Sequence, residues 1–322
     1  MSERHAAVVY HPAKAPIARI RLAVAANERR HGWGPTRWYE TAAGDSGNAA
    51  TERARADGPA VVIVSGGDGT VRSAVEELHG TGIPVALVPA GTGNLLARDL
   101  GISLSDVEGS VAAAFTGAER RIDVGVAELE DEAGARRPRT FVVMAGIGLD
   151  ADMAENTSPV AKKHLGWFAY VSPIARSIIA NRLFSLHYRV DGGRTRSALA
   201  HTVIVGNCGT LAGNMLLIPK AVVDDGLLDV VMMRPRGRFG WAGIGSRLTM
   251  QGIARRSRWT RNVLDRAPEL PALAYAQGRR FEARFDLPRL VHLDGDGFGR
   301  VVAVRISVRP GALVIRTAVA AT

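Results

Sequence analysis

The chain has 322 residues, which is long enough for two domains. Its formal net charge of +10 favours an acidic partner: a nucleotide, an anionic membrane or nucleic acid. Its single cysteine, Cys208, excludes an internal disulfide and a zinc site built on cysteines. Because no run of eighteen apolar residues occurs, we expect a cytoplasmic protein without a spanning helix.

The first third of the chain alternates strand-like and helix-like segments. Runs rich in β-branched and aromatic residues predict strands at Ala6–Tyr10, Trp38–Thr41, Val61–Val64 and Val85–Val88. Apolar residues at helical spacing and flanking stop signals predict helices at Ile17–Arg30, Asn48–Ala56, Val71–Leu78 and Leu95–Leu100. Strands that alternate with helices predict an α/β layer through about residue 120.

Two glycine-rich loops follow consecutive strands of this layer. The first glycine loop is Ser65–Thr70 and the second glycine loop is Pro89–Asn94, and each precedes a predicted helix. The N–H groups and the dipole at a helix start suit a phosphate. Asp68 would repel a bare phosphate, so a carboxylate at this position makes sense if a divalent cation lies between the two. The residues therefore predict a nucleotide and metal site, with ordinary turns as the alternative.

From Ile122 onward, short strands dominate. They are predicted at Val124–Glu130, Thr140–Ala145, Ser185–Val190, Ala200–Val205, Leu228–Met232 and Ala312–Thr317. Asp191-Gly192-Gly193 is a strong hairpin signal, and one helix is predicted from about Trp167 to Leu183. The pattern predicts a β-rich second domain of the sandwich type.

One segment of this second half, Arg234–Arg261, has an unusual composition. It combines eight arginines with Trp241 and Trp259, which suits an anionic membrane interface. Nucleic acid would attract the same charges, and a solvated basic helical face is the other alternative.

Two motifs together carry a family resemblance. Gly66–Thr70 reads GGDGT, and Pro89–Arg98 reads PAGTGNLLAR. The pair resembles the diacylglycerol kinase catalytic domain family of bacterial lipid kinases, relatives of sphingosine and ceramide kinases. GGDGT alone also resembles the signatures of NAD kinases and phosphofructokinases. Asp224–Val230 reads DDGLLDV and resembles a further signature of the lipid kinases.

The resemblance implies a fold and a domain division. The expected fold has an α/β nucleotide-binding domain of the NAD kinase and phosphofructokinase type at residues 1–122. A β-rich lipid-substrate domain at 123–309 follows, and a C-terminal strand at 310–322 returns to the first domain. The active site is expected in the cleft between the domains.

The resemblance also implies roles for individual residues. The expected nucleotide-binding residues are His11, Lys14, Thr41, Gly66, Gly67, Asp68, Gly69, Thr70, Gly91, Thr92, Gly93 and Asn94. The expected ligands of a magnesium ion are Asp225 and the carbonyls of Val222 and Leu227, although the residues alone favour a plain turn there.

Two positions depart from the family pattern. His11 stands where the family usually has Asn. Asp296 stands where the family has the Glu that accepts the proton of the lipid hydroxyl, and it is one methylene shorter. Asp294 is the alternative base, and Asp68 is expected to act with the nucleotide-bound metal.

The leading functional hypothesis is an ATP-dependent, Mg²⁺-dependent lipid kinase that transfers the γ-phosphate to a lipid hydroxyl. Diacylglycerol is the expected acceptor and phosphatidic acid the product, while a sphingoid base, another glycerolipid or a polyprenol stays open. The alternatives are an NAD kinase-like enzyme and a catalytically impaired nucleotide-binding regulatory protein. The expected partners are ATP, the lipid, an anionic membrane surface reached from the cytoplasm, and a second copy in a homodimer. Nucleic acid is not expected.

Overall fold

The computed structural model describes residues 4–42, 47–148, 183–209, 218, 221–234 and 273–318. Apart from its last residue, the helix predicted from Trp167 to Leu183 lies outside the described residues, and so does the Arg234–Arg261 segment beyond Arg234. The chain divides into two compact units. Unit 1 comprises Met1–Val124, Thr140–Val142 and Arg309–Thr322, and unit 2 comprises Gly125–Arg139 and Val143–Val308.

Unit 1 is built on a parallel sheet with the strand order β4-β3-β1-β2. Its elements are β1 (Ala6–Tyr10), α1 (Ile17–His31), β2 (Arg37–Glu40), α2 (Asn48–Ala56), β3 (Val61–Gly66), α3 (Asp68–Leu78), β4 (Val85–Pro89), α4 (Leu95–Asp99) and α5 (Val107–Thr116). All five residues of β1 are buried, as expected for a parallel strand covered on both faces. The predicted α/β layer is confirmed.

One face of this sheet packs against α1 and α5. Val8, Ile63 and Ala86 come from neighbouring strands, and they form one core with Ile20 of α1 and Val111 of α5. The alternation of side chains along a strand explains why every second strand residue faces this core. The packing fixes the strands in register and so fixes where their carboxyl ends lie.

Unit 2 is an antiparallel arrangement of strands. The remaining strands of the chain are β5 (Ala118–Glu130), β6 (Arg136–Phe141), β7 (Met144–Ile147), β8 (Phe184–Val190), β9 (Arg196–Ala200), β10 (Thr202–Gly206), β11 (Leu228–Met233), β12 (Leu273–Gly278), β13 (Arg280–Leu293) and β14 (Asp296–Thr317). Neighbours run in the order β12-β11-β10-β7-β13-β14, and β8 pairs with β13 and β9. The last residues of β14 belong to unit 1, where Ile315 pairs with Val85 of β4.

Two of the predicted strands are divided in the structure, and others differ in their bounds: the strand predicted at Val124–Glu130 begins at Ala118, and the one predicted at Ala312–Thr317 is the end of β14. The single strand predicted at Thr140–Ala145 is broken at Val142 and Val143, where the N–H group of Val143 donates to Asp294 Oδ1 at 2.9 Å. The strand predicted at Ala200–Val205 is divided at His201, whose N–H group donates to the carbonyl of Met233 instead. The hairpin predicted between β8 and β9 is confirmed. No helix in the described part of the chain is long and apolar enough to cross a membrane.

Candidate functional site

The carboxyl ends of the parallel strands in unit 1 bring the predicted nucleotide-binding residues together. The N–H group of His11, after β1, donates to the carbonyl of Ser65 at 2.9 Å. The N–H group of Thr41, after β2, donates to the carbonyl of Tyr10 at 3.0 Å. Both glycine loops leave the sheet at this same edge, which is where ligands bind in open α/β sheets.

The first glycine loop leads directly into α3. This helix begins at Asp68, three residues before the predicted start, and its N-cap residue, Gly67, has no side chain that could cap the helix. A Cβ on Gly66 would lie 2.5 Å from Thr70 Cβ, so only glycine fits this tight turn. A Cβ on Gly67 would lie 3.5 Å from Lys14 Nζ, so the Lys14 ammonium reaches the first glycine loop. The result is an open helix start with a cation beside it.

The second glycine loop is closed by its own side chains. Asn94 is in the left-handed conformation (φ 49°), and its Oδ1 accepts a hydrogen bond from the N–H group of Gly91 at 3.1 Å. Its Nδ2 donates to the carbonyl of Gly91 at 2.6 Å, and Arg98 Nε donates to the carbonyl of Gly93 at 2.7 Å. The loop therefore has a fixed shape before any ligand is present.

Asp68 links the two glycine loops. Its Oδ2 accepts a hydrogen bond from the N–H group of Asn94 at 2.9 Å, and its Oδ1 accepts one from the N–H group of Leu95 at 2.7 Å. The carboxylate thus satisfies backbone donors at the start of α4. This pairing could not be predicted from the sequence, because the partners lie far along the chain in a different loop.

The side chain and the carbonyl of His11 close the turn after β1. Its Nδ1 accepts a hydrogen bond from the N–H group of Ala13 at 3.3 Å, and its carbonyl accepts from Lys14 N at 3.1 Å. The Oδ1 atom of an Asn side chain lies as many bonds from its Cα atom as the Nδ1 atom of His does. Asn commonly closes a turn with this oxygen. The departure from the family pattern therefore leaves the turn intact.

Two buried hydroxyl groups lie at the same edge of the sheet. Thr41 is 2% exposed and Ser65 is fully buried, and neither side-chain oxygen has a hydrogen-bond partner among the described residues. Buried hydroxyls usually find a partner in protein or water. Ser65 was not among the predicted site residues, because a serine at a strand end carries no distinctive sequence signal.

The acidic turn in unit 2 places the two candidate bases, Asp294 and Asp296, in different surroundings. Asp294 and Gly295 have positive φ values of 49° and 93°, as in a two-residue hairpin, and Leu293 pairs with Asp296. Asp294 is 5% exposed, and its Oδ1 accepts the N–H groups of Val143 and Met144 at 2.9 Å each. Asp296 is half-buried at the first position of β14. Asp294 anchors the backbone, while Asp296 is the more accessible carboxylate.

The DDGLLDV segment forms a turn before β11. Asp225 is exposed, and its Oδ1 accepts a hydrogen bond from the N–H group of Leu227 at 2.9 Å. Val222 is also exposed. In the described parts of the chain, no cluster of three or more His, Cys, Asp or Glu side chains is arranged to hold a metal ion. The turn contains the three predicted oxygen donors, and Asp225 supplies the only carboxylate among these three.

A buried carboxylate next to this turn, Asp229, was not among the predicted site residues. Asp229 is 1% exposed and accepts a hydrogen bond from the hydroxyl of Tyr275 on β12. Burial, followed by the hydrogen bond to Asp229, raises the pKa of Tyr275 above its ordinary value. The Tyr275 hydroxyl thus provides the buried Asp229 carboxylate with a hydrogen-bond donor.

Known families match both halves of the chain. Residues 6–127 match the diacylglycerol kinase catalytic domain, and residues 142–244 match the YegS C-terminal NAD kinase beta sandwich-like domain. A diacylglycerol kinase of Mycobacterium tuberculosis (strain H37Rv) is 30% identical over 185 residues, which cover 57% of this chain and 58% of that protein.

Solved structures share the fold. A putative diacylglycerol kinase from Bacillus anthracis aligns with a TM-score of 0.72 at 18% identity, over 100% of this chain and 98% of that chain. Yeast NADH kinase in complex with NADH aligns with a TM-score of 0.55 at 9% identity, over 98% of this chain and 84% of that chain. These likenesses confirm the predicted fold class, an α/β domain followed by a β-rich domain.

The most informative relative covers most of both sequences. A probable lipid kinase YegS-like protein of Pseudomonas fluorescens (strain Pf0-1) is 32% identical over 234 residues, which are 72% of each chain. With both matched domains, the paired glycine motifs and the shared fold, the chain belongs to the YegS-like family of diacylglycerol kinase-related lipid kinases.

Proposed function

We propose that the protein is an ATP-dependent lipid kinase that phosphorylates diacylglycerol to phosphatidic acid. The observation that carries the proposal is the meeting of two glycine loops at the carboxyl edge of the parallel sheet, beside the start of α3 and Lys14. Membership in a lipid kinase family supports the reaction class, and a diacylglycerol kinase among the relatives favours the acceptor.

The nucleotide would bind through backbone donors and a few side chains. The N–H groups at the start of α3 and the Lys14 ammonium supply positive potential for the phosphates. The expected contacts are His11, Thr41, Gly66, Gly67, Asp68, Gly69, Thr70, Gly91, Thr92, Gly93 and Asn94. Among these contacts, Thr41 Oγ1 is buried without a partner among the described residues, so it needs a ligand or a water molecule.

Magnesium ions fit the donors that these residues offer. A bound Mg²⁺ would neutralise charge that develops on the transferring phosphoryl group. Asp68 retains lone pairs beyond the two that accept N–H groups, and Asp225 with the carbonyls of Val222 and Leu227 provides a carboxylate and carbonyl set. The functional test is dependence of turnover on added Mg²⁺ after treatment with EDTA.

Asp296 is the better candidate for the base. The lipid hydroxyl would give its proton to the Asp296 carboxylate while its oxygen bonds to the γ-phosphorus. The bond between the γ-phosphorus and the bridging oxygen breaks, and ADP leaves with that electron pair. Asp294 is less suited, because its Oδ1 already accepts two backbone N–H groups and it is 5% exposed.

The acceptor assay separates the candidate functions. Purified protein would be incubated with γ-labelled ATP and Mg²⁺ in mixed micelles of diacylglycerol, a sphingoid base or a polyprenol, and separately with NAD. We expect label in phosphatidic acid, and a loss of at least about 10²-fold in rate for Asp296→Asn. Labelled NADP would establish the NAD kinase alternative, and ATP binding without any transfer would establish the regulatory one.

Membrane contact is proposed from composition. The Arg234–Arg261 segment combines arginines with tryptophans, so we propose that it docks a cytoplasmic enzyme on anionic lipid. Flotation should recover the protein with anionic vesicles but not with neutral ones, and equal recovery with both would refute the contact. A homodimer is also proposed, and analytical ultracentrifugation tests it through the measured mass.

A further inference from the structure

The two glycine loops are held together by contacts that we call the loop clasp: Asp68 with Asn94 and Leu95, Gly91 against Gly67, and Gly93 against Asp68. We propose that Asp68 is a positioning residue that sets the second glycine loop against the first before nucleotide binds and without a metal ion. The proposal rests on the proposed nucleotide site and assigns the carboxylate a role there other than metal binding.

The glycines of the clasp leave no space for a side chain. A Cβ on Gly93 would lie 2.3 Å from Asp68 Oδ2, and a Cβ on Gly91 would lie 2.6 Å from the Cα atom of Gly67. Both distances are far below van der Waals contact, so either side chain would force the loops apart. The N–H group of Ala90 donates to the carbonyl of Gly66 at 3.0 Å and extends the contact. Close approach of the two backbones is thus built into the glycine positions.

The clasp also resolves an electrostatic conflict. From the sequence, Asp68 beside a polyphosphate required a cation between the two charges. In the structure, the carboxylate faces the N–H groups of Asn94 and Leu95, which compensate much of its charge. The start of α4 is thereby closed, whereas the N-cap residue of α3 is Gly67, which has no side chain to cap that helix. The phosphates are therefore directed to α3 and Lys14.

Nucleotide binding without metal separates the clasp from a metal-ligand role. The dissociation constant of ADP would be measured by calorimetry in excess EDTA. If Asp68 only held a metal ion, Asp68→Asn would leave ADP affinity unchanged or increase it, because a negative charge near the phosphates is removed. If Asp68 holds the loops, Asp68→Asn should weaken ADP binding about tenfold or more, because one of two charge-assisted hydrogen bonds is lost and the other is weakened.

Two further variants control for charge and for general destabilisation. Gly93→Ala keeps the carboxylate but places a methyl group in the clasp, so it should also weaken ADP binding in EDTA. Asp106→Asn removes the charge of a carboxylate that accepts the N–H group of Gly109 at 2.8 Å at the start of α5. Asp106 belongs to neither loop, so this variant should bind ADP like the wild type.

Hydrogen exchange tests the clasp in the wild-type protein, where folding of a variant is not in question. The amides of Asn94 and Leu95 should be protected in the absence of nucleotide, and protection that arises only on addition of ADP would overturn the proposal. Variants that bind ADP as tightly as the wild type would overturn it as well. A wild-type protein that binds no ADP would refute the proposed function, and with it the role of the clasp in binding.

Discussion

Two acidic turns with the same backbone conformation, at Asp294 and Asp191, allow the effect of burial on stability to be tested. Asp294 has φ 49°, and its Oδ1 accepts two backbone N–H groups at 2.9 Å. Asp191 has φ 50°, and its Oδ1 accepts the N–H groups of Arg279 and Arg280 at 2.8 Å. Asp294 is 5% exposed, whereas Asp191 lies on the surface. The perturbation is alanine at each position.

The expected costs differ because water can replace only one of the carboxylates. Asp294→Ala leaves two N–H groups without an acceptor, one of them on buried Val143, and each bond to a charged acceptor contributes about 1.5 to 3 kcal/mol. Left-handed backbone at a non-glycine residue adds roughly 1 kcal/mol. We expect a total of about 4 to 7 kcal/mol for Asp294→Ala. At Asp191 solvent satisfies the released N–H groups, so we expect roughly 1 to 2 kcal/mol.

Thermal unfolding of both variants measures the difference. For units of this size, about 1 kcal/mol shifts the melting temperature by roughly 2 to 4 °C, so Asp294→Ala should melt about 8 °C or more below the wild type. Asp294→Asn keeps an acceptor and tolerates the backbone conformation, so it should be stable and retain kinase activity. Equal losses for the two alanine variants would refute the argument from burial. A stable Asp294→Asn protein without turnover would make Asp294 the base.

Other variants test the loops and the pH dependence of stability. His11→Asn should keep nucleotide affinity within about threefold in calorimetry, because Asn supplies the same turn acceptor. Gly66→Ala should weaken ATP binding by at least about tenfold in the same assay, since its Cβ would lie 2.5 Å from the Cβ atom of Thr70. The hydrogen bond from Arg189, and then the one from Arg305, lower the pKa of Glu282. Because its pKa is lowered in the folded state, the Glu282 carboxylate stabilises the fold at pH values above its pKa in the unfolded state, which is about 4.3. This stabilisation is lost as the pH falls through the pKa of the folded state. Glu282→Gln should therefore lower the melting temperature at pH 7 but not at about pH 2.

Local patterns predicted most elements of unit 1, because strand and helix periodicities are properties of short windows, but the helix α5 was not predicted. The run Ala6–Tyr10 and the helix Asn48–Ala56 have the predicted bounds. The start of α3 was predicted too late, since a glycine at position 69 has low helix propensity and hid the first turn. The glycine loops were predicted to form a site because both follow strands whose carboxyl ends meet at one edge.

The contacts that give the carboxylates their roles could not be predicted. Asp68 binds N–H groups in another loop, and Asp294 binds those of Val143 and Met144 in a distant strand. Such pairings depend on tertiary geometry, and an Asp-Gly pair in a turn looks the same in a sequence whether the carboxylate is an anchor or a base. The break between β6 and β7 was missed for the same reason, because its cause lies outside the segment.

The strand β14 has a consequence for the order in which the chain acquires its structure. Ile315 near its end pairs in parallel with Val85 of β4, and the carbonyl of Ala312 accepts the N–H group of Gly80. During synthesis these partners leave the ribosome at widely separated times, and contacts of high sequence separation form slowly. Until β14 arrives, β4 presents a bare edge of apolar residues that invites association with other chains. We therefore expect aggregation during expression to respond more to changes at Ile315 than to comparable changes at Val8 in the centre of the sheet.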